Sequence, residues 1–253
     1  MAKKSVVITG ATSGIGLATA RLLAQNGYKL ILTGRRNERL DSLSEELKNE
    51  YDAEVITLCF DVRNSSETKQ AIKSIPQGFL PVDILINNAG LAVGLNTLQD
   101  GVEEDWERMI DTNIKGLLYM TRQISPMMIE NKSGHIINIS SIAGKETYPM
   151  GNVYCATKHA VQSLTKAMRM EMLPYGIKVS SVAPGAVNTE FSTVRFKGDK
   201  DQADHVYKGF TPLSAEDIAD TIWFVVTRPA HVNIDDILVM PAAQAFSRDF
   251  HRR

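Results

Sequence analysis

Short apolar runs rich in β-branched residues alternate along the chain with longer segments whose apolar positions recur at helical spacing. Such runs, with few polar residues inside them, are typical of strands that are buried on both faces of a sheet. The predicted strands are residues 4–9, 28–33, 54–59, 81–86, 135–139, 177–182 and 237–240. Because helical segments separate them, the pattern predicts right-handed βαβ crossovers and therefore a parallel α/β sheet.

The predicted helices are longest in the middle of the chain, at about 103–131 and 151–173. The first of these has apolar residues on more than one side, and Pro174 marks the end of the second. Residues 188–212 are polar and charge-rich without helical or strand period, which predicts an irregular, mobile loop over the site. No linker or repeat interrupts the pattern, so residues 1–253 are predicted to form a single domain.

Bulk composition excludes several classes of function. A net charge of −1 gives no electrostatic reason to expect a nucleic acid or an anionic membrane as partner. No apolar run approaches the length of a membrane span, and the first ten residues already form a strand pattern that leaves no room for a signal peptide. Two cysteines suit a reducing compartment. We expect a cytoplasmic protein.

A glycine-rich turn follows the first predicted strand and precedes a helical pattern. Gly10, Gly14 and Gly16 have the spacing G-x-x-x-G-x-G. Glycines in this context allow positive φ angles and a close approach of the backbone to a pyrophosphate, which would lie at the helix N-terminus. The turn predicts a dinucleotide site, and an ordinary strand-to-helix turn is the alternative. Arg35, Asp61 and Asn88 follow later strands, so they are expected at the same sheet edge.

Tyr154 and Lys158 stand four residues apart in the second long helix, so both side chains are predicted on one helix face. A phenol beside an ammonium group is suited to acid–base chemistry. The nearby positive charge is expected to lower the pKa of Tyr154 by roughly 1–3 units. A chance spacing of the two residue types is the alternative.

These motifs in this order resemble the short-chain dehydrogenase/reductase family. The residues that carry the resemblance are Thr9-Gly10-x-x-x-Gly14-Ile15-Gly16, Asn87–Gly90, Asn113, Ser141, Tyr154, Lys158 and Pro184-Gly185. Within the family, the chain is similar to the NADP-dependent 3-hydroxy acid dehydrogenases, which include serine and allo-threonine dehydrogenases. That closer likeness lies in residues 87–94, 104–122, 152–158, 189–199, 229–234 and 239–244.

The resemblance implies a fold, an assembly and four catalytic roles. The fold would be a Rossmann-type, doubly wound parallel sheet of about seven strands in the order 3-2-1-4-5-6-7, and the assembly a homotetramer that packs the two long helices together. Tyr154 would exchange the proton at the substrate oxygen, Ser141 would hydrogen-bond that oxygen, and Lys158 would assist Tyr154 and hold the nicotinamide ribose. Asn113 would hold a relay water. The alternatives are a turn-forming Ser141, a solvated Lys158 and an Asn113 that binds the backbone.

The cofactor is predicted to be NADP. Where an NAD site usually has an acid after the second strand, this chain has Arg35 and Arg36, and a guanidinium group suits a 2′-phosphate. A solvated arginine pair is the alternative. The remaining residues expected to contact the cofactor are Gly10, Thr12, Ser13, Gly14, Ile15, Gly16, Asp61, Val62, Asn88, Ala89, Gly90, Pro184, Gly185, Val187 and Thr189.

The predicted reaction is hydride transfer at the 3-hydroxyl or 3-oxo carbon of a short 3-hydroxy acid. The alternatives are a reductase of larger carbonyl compounds and a cofactor-binding regulator without turnover. Arg195 is expected to bind the substrate carboxylate, with Ser141, Tyr154 and Asn152 also at the substrate. For the carboxylate, Lys145, Lys197, the Asn152 amide and a purely surface role for Arg195 are rival assignments. The histidines show no metal-ligand spacing, so no metal site is expected.

Overall fold

Seven parallel strands form the central sheet of the computed structural model, which describes residues 3–253. Their order is 3-2-1-4-5-6-7, as predicted. The strands are β1 (Ser5–Thr9), β2 (Lys29–Gly34), β3 (Val55–Cys59), β4 (Ile84–Asn87), β5 (Gly134–Ile139), β6 (Ile177–Pro184) and β7 (Asp236–Val239). The carboxyl ends of all seven lie along one edge of the sheet, because every pair is parallel.

Helices cover both faces of this sheet. They are α1 (Gly14–Gln25), α2 (Asn37–Tyr51), α3 (Ser65–Lys73), α4 (Glu103–Ile110), α5 (Leu117–Glu130), α6 (Asn152–Met172), α7 (Glu190–Arg195), α8 (Lys200–His205) and α9 (Ala215–Val226). Helices α1, α2 and α9 pack in one apolar core, and α3, α5 and α6 pack in the other. Successive residues of β1 alternate between them: Val6 and Ile8 point into the first core and Val7 into the second. Burial on both faces explains why the strands read as continuous apolar runs.

The helix predicted at about 103–131 has a π-helical turn in its middle. Asp111–Gly116 separates α4 from α5, and the backbone on either side stays helical. Such turns are frequent at functional sites. Asn113 lies in this turn, and its side chain both accepts from the backbone N–H of Leu91 and donates to the Leu91 carbonyl, at 2.8 Å each. The interruption has no counterpart in the apolar pattern of the sequence.

Residues 188–212 are not the irregular loop that the sequence predicts, since they contain α7 and α8. Each helix has a side-chain cap at its start: the Thr189 hydroxyl accepts from the N–H of Phe191, and the Asp199 carboxylate accepts from the N–H of Gln202. Six-residue helices are too short to display an apolar period. The two capping residues were the only signal that could have revealed them.

An unpredicted antiparallel hairpin of β8 (Gln244–Phe246) and β9 (Asp249–Phe250) follows β7. The N–H and hydroxyl of Ser247 donate to a carboxylate oxygen of Glu146, at 2.9 and 2.8 Å. The N–H of Arg253 donates to the Gly209 carbonyl at 2.8 Å. The hairpin therefore joins two segments that border the carboxyl edge of the sheet. Across residues 3–253, no helix has both the length and the apolar character that crossing a membrane requires.

Candidate active site

A crevice of about 600 Å³ opens at the carboxyl edge of the sheet. Its walls are the turns after β1, β2, β3, β4, β5 and β6, together with α7 and the C-terminal hairpin. All the predicted cofactor residues line it except Gly16, and Ser141 and Arg195 line it as well. Asn113 and Asn152 lie outside the set of residues that form its surface.

The glycine turn after β1 forms one end of the crevice. Gly10 and Gly14 have φ angles of 67° and 52°, a region that glycine enters without steric penalty. Gly16 packs directly against the turn, because a Cβ there would lie 2.4 Å from the Gly10 carbonyl oxygen. The amide nitrogen of Asn88 donates to the carbonyl oxygens of Thr9 and Gly10, at 2.8 and 3.2 Å, and holds the turn.

The first turn of α1 is open to an anion. Ser13, at the N-cap, makes no side-chain hydrogen bond to the backbone of the helix. The first N–H groups of a helix lack partners within the helix, and they carry the positive end of its dipole. The glycine turn allows a close approach of the backbone, and the start of α1 is uncapped; together they fit the binding of a dinucleotide pyrophosphate.

Arg35 and Arg36 lie beside this turn. Arg36 donates to the Thr12 hydroxyl (3.0 and 2.7 Å), the Ser13 hydroxyl (2.9 Å) and the carboxylate of Glu190 on α7 (2.9 Å). Arg35 is more weakly engaged, since its closest carboxylate oxygen belongs to Asp61, at 3.8 Å. Both arginines line the crevice, so a phosphate group could be held here without help from any other element.

Asp61, expected to contact the cofactor, is held by a residue that sequence reasoning missed. Arg63 donates to it through both its backbone and its guanidinium, at 3.0, 2.9 and 2.6 Å. Burial alone would raise the pKa of Asp61, but the hydrogen bonds from Arg63 outweigh it and hold that pKa below its usual value. Asp61 is therefore an ionised, fixed acceptor, and a carboxylate has room for a further donor.

Ser141, Tyr154 and Lys158 converge on the middle of the crevice from the end of β5 and the first turns of α6. All three are buried. The Lys158 ammonium group donates to the Ile139 carbonyl at 2.9 Å. A Cβ placed on Gly90 would lie 3.2 Å from the Asn113 side-chain oxygen and 3.4 Å from the Lys158 nitrogen, so the chain at Gly90 packs against both. The two residues are thus neighbours beneath the crevice surface.

The predicted lowering of the Tyr154 pKa by Lys158 is wrong. Burial raises the pKa of Tyr154 to about 12, and the strongest effect in the opposite direction is the charge of Arg195. Burial also lowers the pKa of Lys158, to about 8. The cause is that both groups are buried, which disfavours the charged form of each. Helical spacing placed the two residues on one face, but the depth of their burial could not be read from it.

Arg195, on α7, lies close to the ring of Tyr154. Its guanidinium carbon lies 4.9 Å from the centroid of the Tyr154 ring and 5.2 Å from that of Phe191. It donates to the hydroxyl of Tyr148 at 2.9 Å, whereas its Nε is buried and has no hydrogen-bond partner within the described chain. Tyr148 and Phe191 were missed by sequence reasoning, because nothing in the sequence pairs them with Arg195.

The rival residues for a substrate carboxylate are engaged elsewhere. The Asn152 amide donates to the Asn96 carbonyl at 3.0 Å, and Lys197 pairs with Asp105 at 2.7 Å. Lys145 pairs with Asp236. Neither lysine lines the crevice. Over the same residues 3–253, no three His, Cys, Asp or Glu side chains are grouped so that they could hold a metal ion.

Comparison with known proteins is consistent with this geometry. The model of the short chain dehydrogenase family matches residues 4–200. The chain is 46% identical to the NADP-dependent 3-hydroxy acid dehydrogenase YdfG of Salmonella typhi, over 96% of each chain. It is 42% identical to the serine 3-dehydrogenase of Rhizobium radiobacter, again over 96% of each. The closed form of a serine dehydrogenase complexed with NADP+ superimposes with a TM-score of 0.91 at 44% identity, and the alignment covers 98% of this chain and 99% of the other.

Proposed function

The chain belongs to the short-chain dehydrogenase family, and from this premise we propose that it is an NADP-dependent oxidoreductase of short 3-hydroxy acids. The observation that carries the substrate class is the position of Arg195. Its cation lies 4.9 Å from the Tyr154 ring centroid with a buried, unpartnered Nε. A short hydroxy acid offers little apolar surface, so its charged end must supply most of the recognition, and a guanidinium is the matching partner.

The crevice residues fit the dinucleotide. The Gly10–Gly16 turn and the start of α1 would hold the pyrophosphate, and Arg35 and Arg36 would hold the 2′-phosphate. When bound, NADP supplies the carbon that accepts or returns the hydride. The further contacts that we propose come from Asp61 and Val62 to the adenine, and from Asn88–Gly90, Pro184, Gly185, Val187 and Thr189 around the rest of the cofactor.

Three residues of the chain carry the remaining chemistry, and Asn113 positions the turn beside them. In oxidation of the alcohol, the electron pair of the C3–H bond leaves as hydride, the hydroxyl proton passes to the Tyr154 phenolate, and the C3–O double bond forms. Ser141 holds the reacting oxygen through its hydroxyl. Lys158 holds the ribose hydroxyls, and Asn113 fixes the π-helical turn against Leu91 beside it. In reduction the same phenol returns the proton.

We propose that the chain forms a single domain and assembles as a homotetramer in the cytoplasm. Apolar side chains on the long helices and just after α6 support the assembly, since Leu118, Met170 and Leu173 are 38%, 71% and 72% exposed. Two free cysteines, Cys59 and Cys155, suit a reducing compartment. Light scattering during gel filtration should give four times the 27.9 kDa mass of the chain.

The test is the change in NADPH absorbance with a panel of substrates. Serine, allo-threonine, 3-hydroxypropionate and 3-hydroxyisobutyrate should each exceed an uncharged alcohol of similar size in kcat/KM by about tenfold or more, as expected for one charged hydrogen bond. A preference for bulky ketones or 3-oxoacyl thioesters would instead identify a reductase of larger carbonyl compounds. NADP binding without turnover of any substrate would identify a cofactor-binding regulator.

A further inference from the structure

Two guanidinium groups lie near a single tyrosine in the wall of the crevice. The guanidinium carbon of Arg248, in the turn between β8 and β9, lies 5.0 Å from the centroid of the Tyr148 ring. That of Arg195, on α7, lies 5.9 Å from the same centroid. Both arginines line the crevice. Residues separated by more than fifty positions in sequence thus bring two positive charges to one side chain.

No carboxylate within residues 3–253 forms an ion pair with either arginine. Two other arginines that line the crevice differ, since Arg35 lies 3.8 Å from Asp61 and Arg36 lies 2.9 Å from Glu190. Two unpaired cations near one ring repel each other, and an anion placed between them would relieve that repulsion. The buried, unpartnered Nε of Arg195 adds a hydrogen-bond donor that such an anion can satisfy.

The turn that carries Arg248 is fastened on both sides. Next to it, Ser247 donates twice to Glu146, two residues before Tyr148. On the other side, the guanidinium of Arg252 lies over the rings of Phe210 and Phe250, at 5.3 and 5.2 Å. The position of the Arg248 backbone relative to Tyr148 is therefore set by the fold and not left to a free chain end.

We propose that Arg248 and Arg195, which both lie beside Tyr148, together form the binding site for the carboxylate of the substrate. The inference deepens the proposed function and rests on it. Arg195 lies closer to Tyr154 and holds the carboxylate near the reacting carbon, while Arg248 supplies the outer half of the site. The ligand class is a short-chain carboxylate, and Arg248 acts on its binding and not on the proton transfer.

The experiment compares Arg248→Met with the wild type on 3-hydroxypropionate and on an uncharged alcohol of similar size. Arg228→Met is the control, because Arg228 also lies over an aromatic ring, that of the exposed Phe224, but is outside the crevice. For Arg248→Met we expect the KM of the acid to rise about tenfold while kcat stays within about twofold, as for loss of a partly exposed charged hydrogen bond. Arg248→Lys, which keeps the charge, should recover part of the loss.

Inhibition by propionate and by propionamide gives a second readout that does not involve turnover. Weakened inhibition by propionate in Arg248→Met, with unchanged inhibition by propionamide, supports the proposal. An unchanged KM for the acid, or equal losses on acid and alcohol, overturns it. If Arg195→Met loses the preference for acids and Arg248→Met keeps it, the inference about Arg248 fails and the proposed function stands. If the wild type shows no preference for acids, the proposed function itself fails.

Discussion

The guanidinium carbon of Arg195 lies 4.9 Å from the centroid of the Tyr154 ring, so the strongest charge acting on the phenol comes from α7 and not from its own helix. Lys158, one turn along α6, instead donates to the Ile139 carbonyl. Because α7 belongs to the segment 188–212, the acidity of Tyr154 is linked to the position of a segment that also lines the crevice.

The burial of Tyr154 and its contact with Arg195 predict how kcat depends on pH. In the proposed mechanism, oxidation requires the Tyr154 phenolate. Because burial raises the pKa of Tyr154 to about 12, kcat for oxidation should rise about tenfold per pH unit from pH 7 to 9. Loss of the nearby cation in Arg195→Met raises this pKa further and should slow oxidation at every pH in that range. Reduction uses the phenol form and should not share this rise. The measurement is the pH profile of kcat in both directions.

An uncharged alcohol at saturation is the substrate for that comparison, so that loss of carboxylate binding does not enter. Arg228→Met serves as the control for a lost surface cation. An Arg195→Met profile that overlays the wild type would show that Arg195 has no influence on Tyr154.

Tyr154→Phe should lower kcat by at least about 10²-fold, because it removes the proton donor and acceptor. The ring keeps its packing against Phe191, whose centroid lies 5.6 Å away. NADP affinity, measured by fluorescence titration, should therefore change by less than about threefold. More than a tenth of the wild-type kcat in this variant would contradict the role that we propose for Tyr154.

Most of the fold was predictable because strands covered on both faces leave an unmistakable apolar run. The run in β1 is bounded by Lys4 and by Gly10, and the structure departs from the prediction there by a single residue. The parallel sheet follows from the alternation, and the strand order was available only from the family resemblance. The hairpin β8–β9 and the helices α7 and α8 were missed, because elements of two to six residues are too short to show a period.

The site was predictable where one local motif held the information and not where distant segments meet. The glycine turn and the pair Tyr154 and Lys158 each lie within a few residues of sequence. Arg248 approaches Tyr148 from a hundred residues away, and no spacing rule connects them. The direction of the Tyr154 pKa shift could not be predicted from the sequence either. It depends on how deeply the side chain is buried, whereas a helical period indicates only the face of the helix on which the side chain lies.

Arg35→Asp should shift cofactor preference from NADP towards NAD. The 2′-phosphate would lose a charge-assisted partner worth about 1.5–3 kcal/mol and would face a like charge, so the NADP/NAD ratio of kcat/KM should fall by at least about tenfold. Arg36 is the less informative position, since it also holds Thr12, Ser13 and Glu190. Arg228→Asp is the matched control, and an unchanged ratio in Arg35→Asp would place the phosphate elsewhere.

His135 predicts where stability is lost in acid. It is buried, its Nε2 lies 2.8 Å from the Ser180 hydroxyl, and burial lowers its pKa from 6.5 to about 3. Below pH 6.5 the unfolded chain binds a proton at this residue that the folded chain does not, so the folded state loses about 1.4 kcal/mol per pH unit until about pH 3. His135→Gln removes this titration. Urea unfolding at pH 7 and pH 5, at one protein concentration, should show the wild type losing about 2 kcal/mol more than the variant. Equal losses would mean that His135 is protonated in the folded protein as readily as in the unfolded chain.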